Sequence, residues 1–279
     1  MEKPIVALMY DFDKTLSTRD MQDYGFIPEL GMSPKDFWGE VDQLTDTEQM
    51  DSILAYMYLT VQKCREKNIA VTREKFYELG KGIEFFEGVE SWFKRIDGYA
   101  ESIGVRAEHY IVSSGIKEII EGTSLARAGC FKRIYACEFM YDKDGIIRWP
   151  KVAVNYTAKT QFLFRINKGV LDIDSRSAEK LNSYTPEKDR RIPFQNMIYI
   201  GDGLTDVPCM RLVKAYGGQS LAVYDKVKGN AAARSLLDAD RVNYCVAADY
   251  SSGSEAESIV VAAMKKIRAV SELQDLAKR

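Results

Sequence analysis

The sequence predicts a doubly wound α/β fold, in which a parallel sheet carries an inserted segment of helices. Two observations lead to this prediction. Short apolar runs that end in small or acidic residues alternate with amphipathic helical patterns along the chain. A long stretch after the first apolar run contains helical patterns and no convincing strand pattern. The length of 279 residues fits about two domains, or one core with a large insertion.

The apolar runs are the predicted strands, because continuous apolar runs are typical of parallel strands that are buried on both faces. They cover residues 5–10, 110–112, 134–137, 197–200 and 221–223. The helical patterns that separate or follow them cover residues 88–99, 116–128, 207–215 and 229–237. Ser254 and Glu257 form a capping-box pattern, which predicts one more helix near the C-terminus.

Residues 17–86, called the helical insertion below, are predicted to form a separate domain. Residues 1–16 and 87–279 are predicted to form the catalytic core. Helix-start signals within the insertion stand at Ser33, Pro34, Asp46 and Thr72. Its aromatic residues are predicted to form mostly its own core.

Two stretches of the core lack a strand or helix pattern. Residues 172–193 are rich in Ser, Asp, Arg and Lys, which favours a mobile surface loop. The segment 142–145 superficially resembles a calcium loop but lacks the remaining ligands. We therefore expect a hairpin turn there, with Gly145 at a positive φ angle.

Composition excludes several classes of function. Lys and Arg number 39 against 41 for Asp and Glu, so no basic excess favours nucleic acid as a partner. His109 is the only histidine, which excludes a zinc site of several histidines and leaves carboxylates as the expected acids and bases. The five cysteines form no CxxC pair, so reduced thiols are expected. Without a secretory signal or an apolar run of about 18 residues, we expect a cytoplasmic protein with no membrane partner.

Two pairs of aspartates follow directly on predicted strands. Asp11 and Asp13 come after the first strand, and Asp202 and Asp206 come after the fourth. Turn and N-cap roles would also explain the second pair. Four carboxylates at neighbouring strand ends would repel one another unless a cation neutralised them. An oxygen-only site with few protein ligands suits Mg²⁺.

Two further groups could hold an anion. Ser113 ends the second predicted strand and is followed by Ser114, Gly115 and a predicted helix start, so a hydroxyl and free N–H groups would converge there. Lys159 stands at the start of a helical pattern. Taken singly, a plain helix cap and a solvated lysine would explain these residues.

In this order, the motifs resemble those of the haloacid dehalogenase-like hydrolase superfamily. They are DFDKTL with Asp11 and Asp13, IVSSG with Ser113, YTAKT with Lys159, and GDGLTD with Asp202 and Asp206. The helical insertion resembles the C1-type cap of that superfamily and is similar to its phosphoserine phosphatase branch. Lys14 stands where many members have Gly, and Thr205 where phosphoserine phosphatases carry Asn. Both departures concern the substrate rather than the chemistry.

The resemblance implies a Rossmann-like core and a Mg²⁺-dependent phosphatase that works through a covalent aspartyl-phosphate. Asp11 would be the nucleophile, and Asp13 the general acid and then the base that activates water. Asp11, Asp202 and the main-chain carbonyl of Asp13 would bind the metal ion, with Asp206 nearby or bound through water. The residues that would hold the phosphoryl group are Ser113, Ser114, Gly115 and Lys159.

Other functions share parts of this pattern. A phosphomutase of the same superfamily would pass the phosphoryl group back to a sugar. A phosphoacceptor signalling module, or a protein that only binds a phosphorylated ligand, would keep a similar cluster of groups. A helical insertion that closes over the site favours a small phosphorylated metabolite as the substrate. Arg19, Asp20 and Asp23 either contact that substrate or belong to a solvated loop.

Overall fold

The computed structural model describes residues 3–277, and within that range it contains a sheet of seven strands. The strands are β1 (Ile5–Tyr10), β2 (Arg106–Ile116), β3 (Arg133–Tyr141), β4 (Ile147–Val152), β5 (Met197–Gly201), β6 (Gln219–Tyr224) and β7 (Tyr244–Ala247). Their order across the sheet is β4-β3-β2-β1-β5-β6-β7. Neighbouring strands are parallel, except that β3 and β4 form an antiparallel hairpin.

The helices are numbered in the same way. Those before β2 are α1 (Met21–Tyr24), α2 (Phe26–Glu29), α3 (Pro34–Glu48), α4 (Ser52–Glu66), α5 (Arg73–Leu79) and α6 (Val89–Ser102). Those after β2 are α7 (Lys117–Gly122), α8 (Ser124–Arg127), α9 (Ala158–Lys168), α10 (Ser175–Asn182), α11 (Val207–Ala215), α12 (Ala231–Asp238) and α13 (Glu255–Leu276). None of those in the described range has the length and apolar character that a membrane span requires.

The central strand of the sheet is covered on both faces. All six residues of β1 are buried, as expected for a parallel strand between layers of helices. Helices α6 and α13 pack against each other and against β2 and β7, while α9 and α11 pack against each other and against β2, β5 and β6. The predicted doubly wound α/β fold is therefore confirmed.

The helical insertion contains α1 to α5. The chain leaves β1 and returns to α6 along adjacent paths, because the backbone N–H of Thr18 donates to the carbonyl of Glu84 at 3.0 Å. In the same way, the N–H of Phe86 donates to the carbonyl of Leu16 at 2.9 Å. The two ends of the insertion are thus hydrogen-bonded to each other at the edge of the core.

Two of the predicted helix starts in the insertion are confirmed and one is wrong. Ser33 caps α3 by accepting a hydrogen bond from the backbone of the third helical residue at 3.1 Å, and Thr72 caps α5 in the same way at 3.2 Å. Asp46 does not open a helix, since it lies inside α3. The next helix, α4, is capped instead by Asp51, whose Oδ1 accepts from two backbone N–H groups.

Three parts of the core differ from the predictions. Residues 172–193 are not a loop throughout, because α10 forms there behind a capping box of Asp174 and Ser177. The predicted helix 116–128 is divided into α7 and α8, since Thr123 has an extended backbone and caps α8. Strand β7 was not predicted. Gly145, by contrast, lies in the β3–β4 turn at φ +76°, which confirms the hairpin.

Candidate active site

The predicted functional residues meet at one edge of the sheet. Strand β1 lies between β2 and β5 and is parallel to both, so the carboxyl ends of the three strands point the same way. Asp11 follows β1, Ser113 lies near the end of β2, and Asp202 follows β5. The backbone N–H of Asp11 donates to the carbonyl of Ile200 at 2.9 Å, which continues the pairing of β1 with β5 up to the site.

A tight turn after β1 fixes the two aspartates of the first motif. The carbonyl of Phe12 accepts a hydrogen bond from the backbone of Leu16 at 2.9 Å, and the Tyr250 hydroxyl donates to the carbonyl of Thr15 at 2.8 Å. Lys14 adopts φ +55°, a left-handed conformation that favours glycine. Lys14 therefore occupies a backbone conformation that suits the Gly which the resemblance implies at this position.

Three carboxylates form a close cluster. Oxygen atoms of Asp11, Asp202 and Asp206 lie within 4.8 Å of one another. Burial, together with the charge of Asp206, raises the pKa of Asp11 to about 6. Burial and the charges of Asp11 and Asp206 raise the pKa of Asp202 to about 8. The ionised forms of Asp11 and Asp202 are therefore less favourable in the folded chain than in water.

Lys159 is buried against this cluster. Its Nζ donates to Asp206 Oδ1 at 2.7 Å and lies 3.1 Å from Asp11 Oδ1. Burial alone would lower the pKa of Lys159, but the charges of Asp11 and Asp206 hold it above the ordinary value, so the ammonium stays charged. Far from being a solvated surface lysine, Lys159 is fully buried and ion-paired.

A residue that the sequence analysis did not single out also contacts Asp206. The Tyr199 hydroxyl donates to Asp206 Oδ1 at 2.7 Å from within β5. Gly201 also contributes, because a Cβ there would lie 2.5 Å from Asp206 Oδ2. The alternation of side chains along β5 could have indicated Tyr199, since it stands two residues before Gly201 on the same face.

The cluster suits a divalent cation with oxygen ligands. The cluster holds three carboxylates, and the Lys159 ammonium pairs with only two of them, Asp11 and Asp206, in the described chain. Asp13 does not share in this cluster through its carboxylate, whose Oδ1 accepts from the backbone N–H of Met21 at 2.8 Å. The expected role of its main-chain carbonyl as a metal ligand stays a prediction.

The Asp13 carboxyl group lies beside the cluster and lines the cavity. Burial raises its pKa well above the usual range, and the charges of Asp20 and Asp11 raise it further. A Cβ at position 115 would lie 2.7 Å from Asp13 Oδ2, so the glycine allows the strand end and the carboxyl group to approach. Burial and the neighbouring charges therefore favour the protonated form of Asp13.

The groups after Ser113 differ from the prediction. Strand β2 continues to Ile116 and α7 begins at Lys117, so Ser114 and Gly115 belong to the strand and not to a helix start. The N–H of Gly115 is not free, because it donates to Ser113 Oγ at 3.0 Å. The Ser114 hydroxyl donates to the carbonyl of Val154 at 2.7 Å. The N–H of Gly115 and the hydroxyl of Ser114 are therefore already paired with other groups of the described chain.

A cavity of about 560 Å³ lies between this cluster and the helical insertion. Asp11, Asp13 and Asp202 line it from the core. The residues that line it from the insertion include Asp20, Gln22, Trp38, Val41, Asp42, Ser52, Ile53 and Tyr56. Its volume is that of a small-molecule site.

The predicted contact residues of the insertion have different roles. Asp20 lines the cavity, whereas Arg19 and Asp23 do not. Asp23 instead accepts a hydrogen bond from Trp38 Nε1 at 3.1 Å and so orients the indole ring. Trp38 and Tyr56 face the cavity and not only the core of the insertion, which the sequence pattern did not distinguish.

Comparison with known proteins identifies the family. The model of the haloacid dehalogenase-like hydrolase family matches residues 8–211, well over half of the chain. The chain belongs to this family. A protein of Borreliella burgdorferi that has no described function is 30% identical over 278 residues, with 90% of this chain and 93% of that protein covered. The resemblance drawn from the four motifs is therefore confirmed.

Solved structures share the fold of this haloacid dehalogenase-like hydrolase. A substrate-bound phosphoserine phosphatase has a TM-score of 0.56 at 17% identity, with 88% of this chain and 93% of that chain covered. A probable phosphoserine phosphatase from Vibrio cholerae has a TM-score of 0.59 at 12% identity, covering 96% of this chain and 67% of that one. A hydrolase of the same family from Salmonella enterica serovar Typhi has a TM-score of 0.56 at 14% identity, covering 88% and 68%.

Proposed function

We propose that the protein is a Mg²⁺-dependent phosphatase that hydrolyses a small phosphate monoester through a covalent aspartyl-phosphate. One observation carries the proposal. Asp11, Asp13 and Asp202 line the cavity, and Asp206 lies close behind them with the Lys159 ammonium, which pairs with Asp11 and Asp206. The pKa of Asp13 is raised. This arrangement provides a carboxylate nucleophile, a proton donor and positive charge beside one space.

Asp11 and Asp13 divide the two steps of the reaction. An oxygen of Asp11 attacks phosphorus, and the bond from phosphorus to the leaving oxygen breaks while Asp13 gives its proton to that oxygen. Asp13 then takes a proton from water, whose oxygen attacks phosphorus and releases inorganic phosphate and the free Asp11 carboxylate. The raised pKa of Asp13 supports its role as proton donor in the first step.

The remaining polar groups would hold the phosphoryl group and the metal ion. Lys159 would balance the charge of the phosphoryl oxygens, and the buried Ser113 hydroxyl would hold one of them. Asp11, Asp202 and Asp206, with the main-chain carbonyl of Asp13, would hold Mg²⁺. When bound, the ion supplies positive charge that offsets the charge of the transferred group.

The helical insertion would act as a cap domain over this site. The Tyr56 hydroxyl donates to the carbonyl of Ser114 at 2.7 Å, and Asn155 Nδ2 donates to Asp51 Oδ2 at 2.9 Å, so the insertion is hydrogen-bonded to the core on two sides. A cap in this position would exclude bulk water during the reaction and admit only a small phosphorylated metabolite. We also propose a cytoplasmic location.

Phosphate release from p-nitrophenyl phosphate tests the proposal. We expect release with Mg²⁺, none with EDTA, and none from Asp11→Asn in either condition. Asp144→Asn is a matched control, because Asp144 is exposed at the β3–β4 turn and does not line the cavity. Wild-type enzyme quenched in acid after reaction with a ³²P-labelled ester should carry hydroxylamine-sensitive label. Equal activity in Asp11→Asn would refute the assignment.

A further inference from the structure

The wall that the helical insertion gives to the cavity contains an unpaired buried amide. Gln22 is 2% exposed and lines the cavity, and its Oε1 is buried without a hydrogen-bond partner in the described chain. Buried polar atoms are normally hydrogen-bonded, because leaving one unpaired costs free energy. A ligand that donates a hydrogen bond at this position would supply the missing partner.

The charges around the cavity are almost all negative. Lys14 is the only cationic residue among the described residues that line it, and its Nζ lies 2.6 Å from Asp20 Oδ2. Asp42 also lines the cavity and has no ion-pair or hydrogen-bond partner for its carboxylate in the described chain. A leaving group with a negative charge would meet these carboxylates without a free cation to offset it, whereas a positive group would be attracted.

A fixed aromatic surface completes the wall. The ring of Trp38 is oriented by Asp23 and packs edge to face with Tyr56 at a centroid distance of 5.9 Å. Tyr56 is held in turn by its hydrogen bond to the carbonyl of Ser114. Aromatic faces attract cations and apolar carbon, so Trp38 suits an organic ammonium group.

We infer that the substrate is the phosphate ester of a small alcohol that carries a cationic amine and no carboxylate. The amine would donate to Gln22 Oε1, face the Asp42 carboxylate and lie near Trp38. The inference rests on the proposed function, because it specifies the leaving group of that reaction. It also distinguishes this chain from an enzyme for phosphoserine, since the phosphoserine leaving group carries a carboxylate.

Three esters with matched skeletons test the inference. Phosphoethanolamine carries the amine, n-propyl phosphate replaces the ammonium group by methyl, and phosphoserine adds a carboxylate. We expect kcat/KM for phosphoethanolamine to exceed that for each of the other two by about tenfold or more. A value for phosphoserine or n-propyl phosphate equal to or above that for phosphoethanolamine would overturn the inference.

Substitutions in the cavity wall test whether its residues cause the preference for the amine. Asp42→Asn and Gln22→Met should each reduce the ratio of kcat/KM for phosphoethanolamine to that for n-propyl phosphate by about five- to tenfold, mainly through KM. Asp46→Asn is the matched control, since Asp46 is exposed on the same helix but does not line the cavity. An unchanged ratio in both test variants would contradict the inference.

The outcomes for the two proposals are separable. If p-nitrophenyl phosphate is hydrolysed with Mg²⁺ but the three esters show no preference for the amine, the leaving-group inference fails and the phosphatase stands. If no phosphate is released from p-nitrophenyl phosphate or from any of the three esters, the proposed function fails and the inference fails with it.

Discussion

Replacing Lys159 by Met should destabilise the metal-free protein strongly. Met fills a similar volume, but it removes the only ammonium that contacts Asp11 and Asp206 in the described chain. All three side chains are almost completely buried, so solvent cannot take over the role of the lost charge. The free energy of unfolding, and not only the activity, should therefore decrease in this variant.

The size of the effect follows from the two distances. At 2.7 Å and 3.1 Å, each attraction between Lys159 and an aspartate is about 5–6 kcal/mol for an effective dielectric constant of about 20. Much of this is offset by the cost of removing the ammonium from water. Removing one partner of such a buried pair typically costs about 3–5 kcal/mol, and we expect a loss of free energy of unfolding in this range.

Urea denaturation in EDTA at pH 7.5 measures the loss, with Lys159→Arg as the variant that keeps the charge. Without Lys159, the pKa of Asp11 should rise further above its value in an unfolded chain, and a raised carboxylate pKa lowers stability as pH increases. The difference in free energy of unfolding between wild type and Lys159→Met should therefore become smaller as pH falls toward 4. A difference below about 0.5 kcal/mol at pH 7.5, or one that grows on acidification, would refute this reasoning.

Two other substitutions give sharp expectations. Asp13→Asn should lower kcat for an alkyl phosphate by about 10²–10⁴-fold, and much less for p-nitrophenyl phosphate, whose leaving group needs no proton; equal losses in steady-state assays would contradict the proton-donor role. Burial raises the pKa of Glu108, but hydrogen bonds from Arg191, at 2.8 Å, and Tyr110 lower it overall. Glu108→Gln should therefore lower the free energy of unfolding at pH 7 by about 1–3 kcal/mol. Because the stabilisation is lost as pH falls from about 4.3 through the lowered pKa, urea denaturation at acidic pH should show the difference disappearing.

The sheet edge that holds the proposed active site could be predicted because its residues follow directly on apolar runs. Asp11 and Asp202 stand one residue beyond buried strands, and parallel pairing brings strand ends together whatever lies between them in the chain. The position of Lys159 required the resemblance, since nothing in its local sequence indicates burial. Tyr199 was missed because it stands within an apolar run and reads there as one more core residue.

The cavity wall could not be predicted from local patterns. Gln22 comes from α1, whereas Trp38 and Asp42 come from α3, so their meeting depends on how α1 and α3 pack above the edge of the sheet. The sequence pattern also did not predict α10, because the residues of this helix are mostly hydrophilic. The capping box at Asp174 stabilises the helix. The meeting of the cavity-wall residues and the formation of α10 therefore depend on tertiary contacts and helix capping, which hydrophobic periodicity does not report.

The paired entry and exit of the helical insertion have a consequence for how such enzymes diversify. Residues 16–18 and 84–86 are hydrogen-bonded to each other, so the whole segment between them joins the core through two adjacent stretches of chain. Sequence changes, additions or replacements within the intervening helices need not alter where β1 ends or where α6 begins. Natural selection can thus change the helices that line one side of the cavity while the residues at the end of the sheet keep their positions.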